Sequence, residues 1–231
     1  KGIDIVMAID VSGSMLAKDL KPNRMEALKE VAANFVEGRP NDRIGIVVYA
    51  AEAYTKTPVT SDKAIIEQAI KDIKYDNVIQ DGTGIGMGLT TAVNRLKDSK
   101  AKSKVIILLT DGVNNAGFIE PETASQIAQE YGIKVYTICI GTNGMAEFPY
   151  AFAPNGGFLF KMMPVEIDEA LMKSIAKNTG GKYFRATSNS KLETIYKEIN
   201  KLETTEIEEL KFYDYDEKFR PFVWLAGILV L

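Results

Sequence analysis

The chain alternates between continuous apolar runs and segments whose apolar residues recur at helical spacing. The runs are typical of strands that are covered on both faces of a sheet. They lie at 3–9, 43–50, 104–110, 134–140 and 182–186. The segment 53–59 contains Pro58, which has no backbone donor for a ladder, and it predicts a short strand at the edge of the sheet.

Six segments between these strands have the spacing of amphipathic helices. They fall within 25–36, 66–73, 89–96, 124–131, 167–175 and 192–204. Strands that alternate with helices predict βαβ units around a mostly parallel sheet. Ligands of such sheets gather outside the carboxyl ends of the strands, so those ends are where functional residues are expected.

Short side chains that bear oxygen stand at these expected positions. The first strand runs out in "DVSGS", with Asp10, Ser12 and Ser14, and the most apolar strand is followed by Asp111. Thr83 lies between them in the glycine-rich stretch "DGTGIGMG". Two carboxylates and three hydroxyls suit a hard divalent cation, and Mg²⁺, Mn²⁺ and Ca²⁺ all accept such ligands. The sequence therefore predicts a metal site at this edge of the sheet.

Other interpretations of these residues are weaker. Asp and Ser are common in turns and helix caps, but that does not explain why five oxygen ligands meet. The glycine-rich stretch lacks the preceding strand that a nucleotide-binding loop requires. A phosphohydrolase with Asp10 as nucleophile would usually carry a second carboxylate two residues on, where this chain has Ser12. We expect Asp19 and Asp81 to be solvated loop residues.

The charge, histidine and cysteine content of the chain disfavours several classes of function. The 231 residues include 28 Lys and Arg and 31 Asp and Glu, so a net charge of −3 gives no electrostatic reason to expect nucleic acid as a partner. The absence of histidine removes imidazole general bases and most catalytic zinc sites. The single cysteine, Cys139, lies in an apolar run and is predicted to be buried and inert.

The order D-x-S-x-S, Thr before Gly, and T-D-G resembles the metal-ion-dependent adhesion site of von Willebrand factor A domains over roughly residues 1 to 204. The resemblance implies an α/β fold: a Rossmann-like, doubly wound, mostly parallel sheet with one short antiparallel edge strand and helices on both faces. It also implies that Ser12, Ser14 and Thr83 bind the metal directly in one state, with Asp10 and Asp111 acting through water. In the other state Asp111 binds directly and Thr83 withdraws. An acidic residue of a partner completes the coordination.

Longer stretches resemble the bacterial aerotolerance (Bat) proteins, which are such domains anchored in the inner membrane beside MoxR-type AAA+ ATPases. These stretches are "AIDVSGSMLAKDLKPNRMEALK", "DRIGIVVYA", "PVTSD", "DGTGIGMGL" and "EIDEALMKSIAKNTGGKYFRA". Gly84 departs from the family pattern, where a slightly larger residue often stands. The resemblance implies a non-enzymatic interaction domain that faces the periplasm, with partners among proteins of the same membrane system and a role in envelope assembly or stress tolerance.

Two segments stand apart from the alternating pattern. Residues 143–165 carry alternating apolar residues on both sides of "PNGG", which predicts a β-hairpin near the metal edge. Its aromatic face either packs on its own domain or binds a partner.

The apolar run 221–231 could be a buried strand, a core helix or half of a membrane span. The Bat resemblance favours the start of a truncated span, preceded by a juxtamembrane linker at 205–220.

Overall fold

The computed structural model describes residues 2–75, 81–154 and 156–212, with side chains as far as residue 203. It contains eight strands and six helices in these ranges. The strands are β1 (Asp4–Asp10), β2 (Arg43–Tyr49), β3 (Ala53–Thr60), β4 (Lys104–Thr110), β5 (Lys134–Ile140), β6 (Met145–Phe152), β7 (Phe158–Pro164) and β8 (Tyr183–Ala186). The helices are α1 (Arg24–Glu37), α2 (Lys63–Lys71), α3 (Ile85–Leu96), α4 (Pro121–Glu130), α5 (Glu169–Asn178) and α6 (Asn189–Phe212).

Six strands form one sheet in the order β3-β2-β1-β4-β5-β8. All neighbouring pairs are parallel except β2 and β3, which pair in antiparallel fashion at the edge. The predicted α/β fold with one antiparallel edge strand is therefore confirmed. Pro58 lies within β3, where a residue without an N–H is tolerated because the outer side of an edge strand has no partner.

The continuous apolar runs are explained by burial on both faces. All seven residues of β1 are buried, as are six of the seven in β4. On one face, alternate residues of β1, β2 and β4 share a core with apolar residues of α3, α4 and α5. Cys139 of β5 belongs to this core, as predicted, and burial raises the pKa of its thiol to about 12.

The strand order reverses between β1 and β4, which are neighbours in the sheet although α1, β2, β3, α2 and α3 separate them along the chain. Their carboxyl ends, at Asp10 and Thr110, therefore open a crevice between loops that run in opposite directions. In open α/β sheets such a switch point is where ligands bind. The fold thus brings the two predicted acidic positions to the place best suited to hold a ligand.

The remaining strands, β6 and β7, form a separate antiparallel hairpin after β5.

The chain divides into two compact units, Lys1–Lys197 and Glu198–Leu231. In the second unit the structure describes only the end of α6, which continues to Phe212 instead of stopping at 204. The rest of the predicted linker and the predicted span at 221–231 lie outside the described residues. In the part of the chain that is described, no helix has both the length and the apolar character needed to cross a bilayer.

The glycine-rich stretch that opens α3 is required by close packing. A Cβ atom on Gly86 would lie 1.9 Å from the carbonyl oxygen of Ile119, and one on Gly88 would lie 2.4 Å from the ring of Tyr49. Tyr49 cannot move aside easily, because it is fully buried and its hydroxyl donates a hydrogen bond of 2.8 Å to the carbonyl of Leu109. Gly88 therefore lets α3 approach β2 of the sheet, and Gly86 lets it approach the loop that precedes α4.

This contact predicts the effect of Gly88→Ala. Alanine favours a helix over glycine by about 1 kcal/mol, but overpacking of a buried aromatic ring costs about 1–3 kcal/mol, so we expect a net loss of stability. Urea unfolding would show a lower midpoint. Asn94→Ala, at an exposed position of the same helix, serves as the control and should change the free energy of unfolding by less than about 0.5 kcal/mol. Equal midpoints for the two variants would contradict the packing argument.

Candidate metal centre

The first part of the site is the turn that follows β1. Asp10 is fully buried at the end of the strand, where one carboxylate oxygen accepts the Ser12 N–H at 2.9 Å. The other oxygen accepts the hydroxyl of Thr110 at 2.8 Å. A short 3-10 turn from Gly13 to Leu16 follows directly. The tight turn brings the Ser12 and Ser14 hydroxyl oxygens within 3.0 Å of each other.

Asp111 joins this turn from the neighbouring strand. It follows β4 directly, and its Oδ1 accepts the Ser14 hydroxyl at 2.7 Å. Asp10, Ser12, Ser14 and Asp111 therefore form one connected cluster, although Ser14 and Asp111 are 97 residues apart in the chain. Each of these hydrogen bonds joins two side-chain oxygen atoms, or a carboxylate oxygen and the backbone N–H of Ser12.

Thr83 approaches the cluster from the loop before α3. Its side chain is buried, and its hydroxyl oxygen lies 3.6 Å from the position that a Cβ atom would occupy on Gly112, directly after Asp111. The Thr83 N–H donates to the side-chain oxygen of Asn115 at 2.8 Å, and the Thr83 carbonyl accepts the Asn115 N–H at 3.0 Å. The five residues predicted from the sequence thus come from three loops at one edge of the sheet.

Asparagine side chains fix the loop that carries Thr83. Asn114 accepts the N–H of Ile85 at 2.9 Å, next to the Asn115 contact with Thr83. Both asparagines belong to "DGVNNAG", directly after Asp111. The sequence analysis did not identify them. Their signal was two consecutive amide side chains in a loop next to a predicted ligand, because an amide oxygen can accept the free N–H groups at the start of a helix.

A buried arginine connects the cluster to the rest of the domain, and the sequence analysis also missed it. Arg24, at the start of α1, donates to Asp111 Oδ2 at 2.8 Å. Its Nε and second amino group both donate to the Asp19 carboxylate at 2.7 Å. Asp19 also accepts the N–H of Thr142 at 2.8 Å. Arg24 and Asp19 together therefore connect the loops after β1, β4 and β5.

This network corrects the expectation that Asp19 is a solvated loop residue. Its side chain is only 4% exposed, because Arg24 and Thr142 cover it. Although burial acts to raise the pKa of Asp19, the hydrogen bonds from Arg24 and Thr142 hold it below its usual range. Asp81 is exposed, but it is not simply solvated, since its Oδ1 accepts the N–H of Gly13 at 3.0 Å. It thereby connects the loop that carries Thr83 to the turn after β1.

The two predicted acidic ligands lie in an environment that disfavours their negative charge. Burial raises the pKa of Asp10 to about 7, and the nearby charge of Asp111 adds to this rise. Burial also raises the pKa of Asp111, although the charge of Arg24 and hydrogen bonds from Ser14 and Arg24 oppose the effect. A divalent cation beside both carboxylates would stabilise their ionised forms. The electrostatics of the cluster therefore suit a cation.

The donor set also limits which metals and reactions fit. Among the described residues, no group of three or more His, Cys, Asp or Glu side chains is placed to hold a metal ion. The candidate site instead combines two carboxylates with three neutral hydroxyls, which matches hard cations better than soft ones. A phosphohydrolase would need a general acid near Asp10. The residue two positions after Asp10 is Ser12, whose hydroxyl is a poor acid. The N–H groups of the Arg24 side chain already donate to the carboxylates of Asp19 and Asp111.

Comparison with known proteins agrees with the fold. Residues 4–198 match the model of the von Willebrand factor type A domain. The chain is 31% identical over 232 residues to an uncharacterized protein of Borreliella burgdorferi, of which it covers 67%. It is 28% identical to a UPF0353 protein of Mycolicibacterium paratuberculosis, with 83% of this chain matched, and spans only 58% of that protein's length.

Solved structures with the same fold include two from Bacteroides species. The conserved hypothetical protein BatB of Bacteroides thetaiotaomicron superposes with a TM-score of 0.74 at 29% identity, covering 88% of this chain and 100% of that one. An aerotolerance-related membrane protein of Bacteroides fragilis gives a TM-score of 0.71, also at 29% identity, covering 87% of this chain and 100% of that one.

A third solved structure bears on the metal. This structure is proximal thread matrix protein 1 from the mussel byssus, solved with zinc in its metal-ion-dependent adhesion site (MIDAS) motif. It gives a TM-score of 0.65 at 26% identity and covers 87% of this chain and 45% of that chain. The matches in sequence and in structure span most of the described residues. The chain therefore belongs to the von Willebrand factor type A domain family, and its structural relatives include the Bat aerotolerance proteins.

Proposed function

We propose that this domain is a metal-dependent protein-interaction module that binds an acidic residue of a partner through a divalent cation. One observation carries the proposal: Asp10, Ser12, Ser14 and Asp111 form a single hydrogen-bonded cluster at the switch point of the sheet. Thr83 approaches the same edge and completes the proposed ligand set. The cation would be Mg²⁺, with Mn²⁺ or Ca²⁺ as the other candidates that oxygen ligands accept.

The charges around the cluster support the capture of a carboxylate. The Ser12, Ser14 and Thr83 hydroxyls are neutral, and Arg24 offsets part of the charge of Asp111. A divalent cation held here would keep part of its positive charge and would attract an external Asp or Glu. Arg24 also orients Asp111, because it binds one carboxylate oxygen and leaves the other to Ser14.

The cellular context that we propose comes from the relatives. One structural relative is described as a membrane protein related to aerotolerance. By this similarity we propose that the full-length protein is anchored in the bacterial inner membrane with the domain facing the periplasm. There it would act with other proteins of the same system, including a MoxR-type AAA+ ATPase, in envelope assembly or stress tolerance. We propose no catalytic role.

The proposed metal site predicts the outcome of a calorimetric titration. Metal-stripped protein should bind Mg²⁺, Mn²⁺ or Ca²⁺ saturably, and Asp10→Asn should abolish this binding because it removes a carboxylate and keeps the shape of the side chain. Asp98→Asn, at an exposed position away from the cluster, is the matched control and should bind as the wild type does. If the wild type binds none of the three cations, even with excess acetate to complete the site, the proposal is wrong.

Arg24 provides a second prediction. Arg24→Gln leaves Asp19 and Asp111 buried without their cation, and we expect the metal-free domain to lose about 3–5 kcal/mol of stability. Added Mg²⁺ should restore more stability to this variant than to the wild type, since the site has become more negative. Thermal unfolding with and without Mg²⁺ measures this difference.

The control for Arg24 is another buried arginine. Arg39 pairs with Asp42 at 2.7 Å, outside the metal cluster. Arg39→Gln should also destabilise the domain, but Mg²⁺ should raise its melting temperature by no more than in the wild type. A Mg²⁺ response that is the same in the Arg24 and Arg39 variants would show that Arg24 does not act on the metal site.

A further inference from the structure

We propose that the β6–β7 hairpin forms the second half of the partner-binding surface, and that it selects a segment in which apolar residues flank the metal-binding carboxylate. This inference rests on the proposed function and specifies the partner. It begins from five apolar side chains of the hairpin that are each 41–57% exposed. They are Met145, Tyr150, Phe152, Leu159 and Met162, which are spread along the two strands of the hairpin, and we refer to this set of residues as the exposed hairpin patch.

Other residues of the hairpin pack on the domain itself and hold it in place. The Phe148 ring lies 4.9 Å from the guanidinium carbon of Arg24, and Ala146 is buried. The Phe160 ring lies 3.6 Å from the Lys18 ammonium, and the Lys18 N–H donates to the Glu147 carbonyl at 3.1 Å. The hairpin is therefore attached to the loop that follows Ser14, so its exposed apolar side chains are held near the proposed metal site.

A row of aromatic rings leads from the metal loop to the exposed patch. A ring carbon of Tyr75 lies 3.5 Å from the position that a Cβ atom would take on Gly13, between the two serines. The Tyr75 ring meets the Phe158 ring edge-on, with centroids 5.7 Å apart. Phe158 in turn lies 4.7 Å from the ring of Phe152, which is 56% exposed. An extended peptide rises about 3.3 Å per residue, so a segment with its carboxylate on the metal would place residues a few positions away on these rings.

The charges near the patch favour an acidic partner. Lys18 lies over Phe160, and the Lys161 ammonium lies 5.3 Å from the Tyr150 ring. Within the described part of the chain, neither lysine forms an ion pair with a carboxylate. Glu147 meets Lys18 through its backbone carbonyl, and the Asp81 carboxylate accepts the Gly13 N–H. Lys18 lies in the loop that follows Ser14, and a cation close to a site for a divalent ion attracts an acidic segment.

The side chains of the patch suit varied apolar contacts. Methionine is flexible and polarisable and adapts to different partner shapes, and aromatic rings provide large apolar area at a small cost in side-chain entropy. Several exposed apolar side chains on one short hairpin are also more than the singly scattered apolar residues that a soluble domain normally exposes. The inferred occupant is therefore a segment with one Asp or Glu for the metal and with apolar residues close to it.

A library of short peptides with one fixed glutamate and varied neighbours tests this inference. In the presence of Mg²⁺, the intact chain should select peptides with apolar residues beside the glutamate. Phe152→Ser combined with Met162→Ser should weaken binding of a selected peptide about tenfold, since the apolar contact is lost. Binding of a peptide with serines around the glutamate should not change. Both residues are exposed, so we expect the variant to remain folded, which circular dichroism checks.

Ile65→Ser is the matched control, because Ile65 is 52% exposed on α2 and lies outside the hairpin. It should leave the apolar preference intact. Glutamate-dependent binding without an apolar preference, or a preference that survives in the double variant, would overturn the role of the hairpin and leave the proposed function in place. Equal binding of glutamate and glutamine peptides would overturn both.

Two further measurements separate this partner from other occupants of the patch. Sedimentation velocity of the wild type and the double variant tests for a second copy of the chain. Co-sedimentation with vesicles of phosphatidylethanolamine and phosphatidylglycerol tests for a bilayer. Self-association or vesicle binding that the double variant loses, without a loss of peptide affinity, would assign the patch to that occupant and overturn the inference.

Discussion

The site depends on the burial of like charges at one edge of the sheet. Asp10 and Asp111 lie at neighbouring strand ends with almost no access to water, and an isolated buried carboxylate is very unfavourable. Arg24 makes the arrangement stable by pairing with Asp111 and Asp19, with its own side chain fully buried. Hydrogen bonds from Ser14 to Asp111, and from Thr110 and the Ser12 N–H to Asp10, compensate further for the burial. The domain thus keeps two acidic groups where a cation would stabilise them further.

The sequence predicted those parts of the molecule whose signal is local. Strands buried on both faces appear as unbroken apolar runs, and Pro58 marks the edge strand, so the sheet was predictable. The meeting of Asp10, Ser12, Ser14, Thr83 and Asp111 at one edge of the sheet was predictable because each follows a strand or precedes a helix, whereas their role as metal ligands stays a prediction. Arg24 was not, because its role depends on a partner 87 residues away. Asp19 was misjudged for a similar reason, since its burial comes from Arg24 and from Thr142, and Thr142 is 123 residues away.

The hairpin illustrates a different limit of sequence patterns. Alternation would place Phe148, Tyr150 and Phe152 on one face, but the register between β6 and β7 shifts between Pro149 and Ala151. An extra residue in one strand changes which side chains face the same way. Phe148 is accordingly half-buried beside Arg24, whereas Tyr150 and Phe152 are exposed. Packing on the domain is therefore observed for Phe148, whereas the exposed Tyr150 and Phe152 leave partner binding by the hairpin as a prediction.

The series of contacts that runs from Asp111 through Arg24 and Asp19 to Thr142 has a consequence for synthesis of the protein. Chains emerge from the ribosome with the N-terminus first, so Asp10 and Ser14 emerge long before the residues that support them. The network around Arg24 cannot close until β4 and β5 have joined the sheet and residue 142 has emerged. A nascent or truncated chain therefore lacks the complete cluster. The surface that would engage other proteins appears only on a domain that has finished folding.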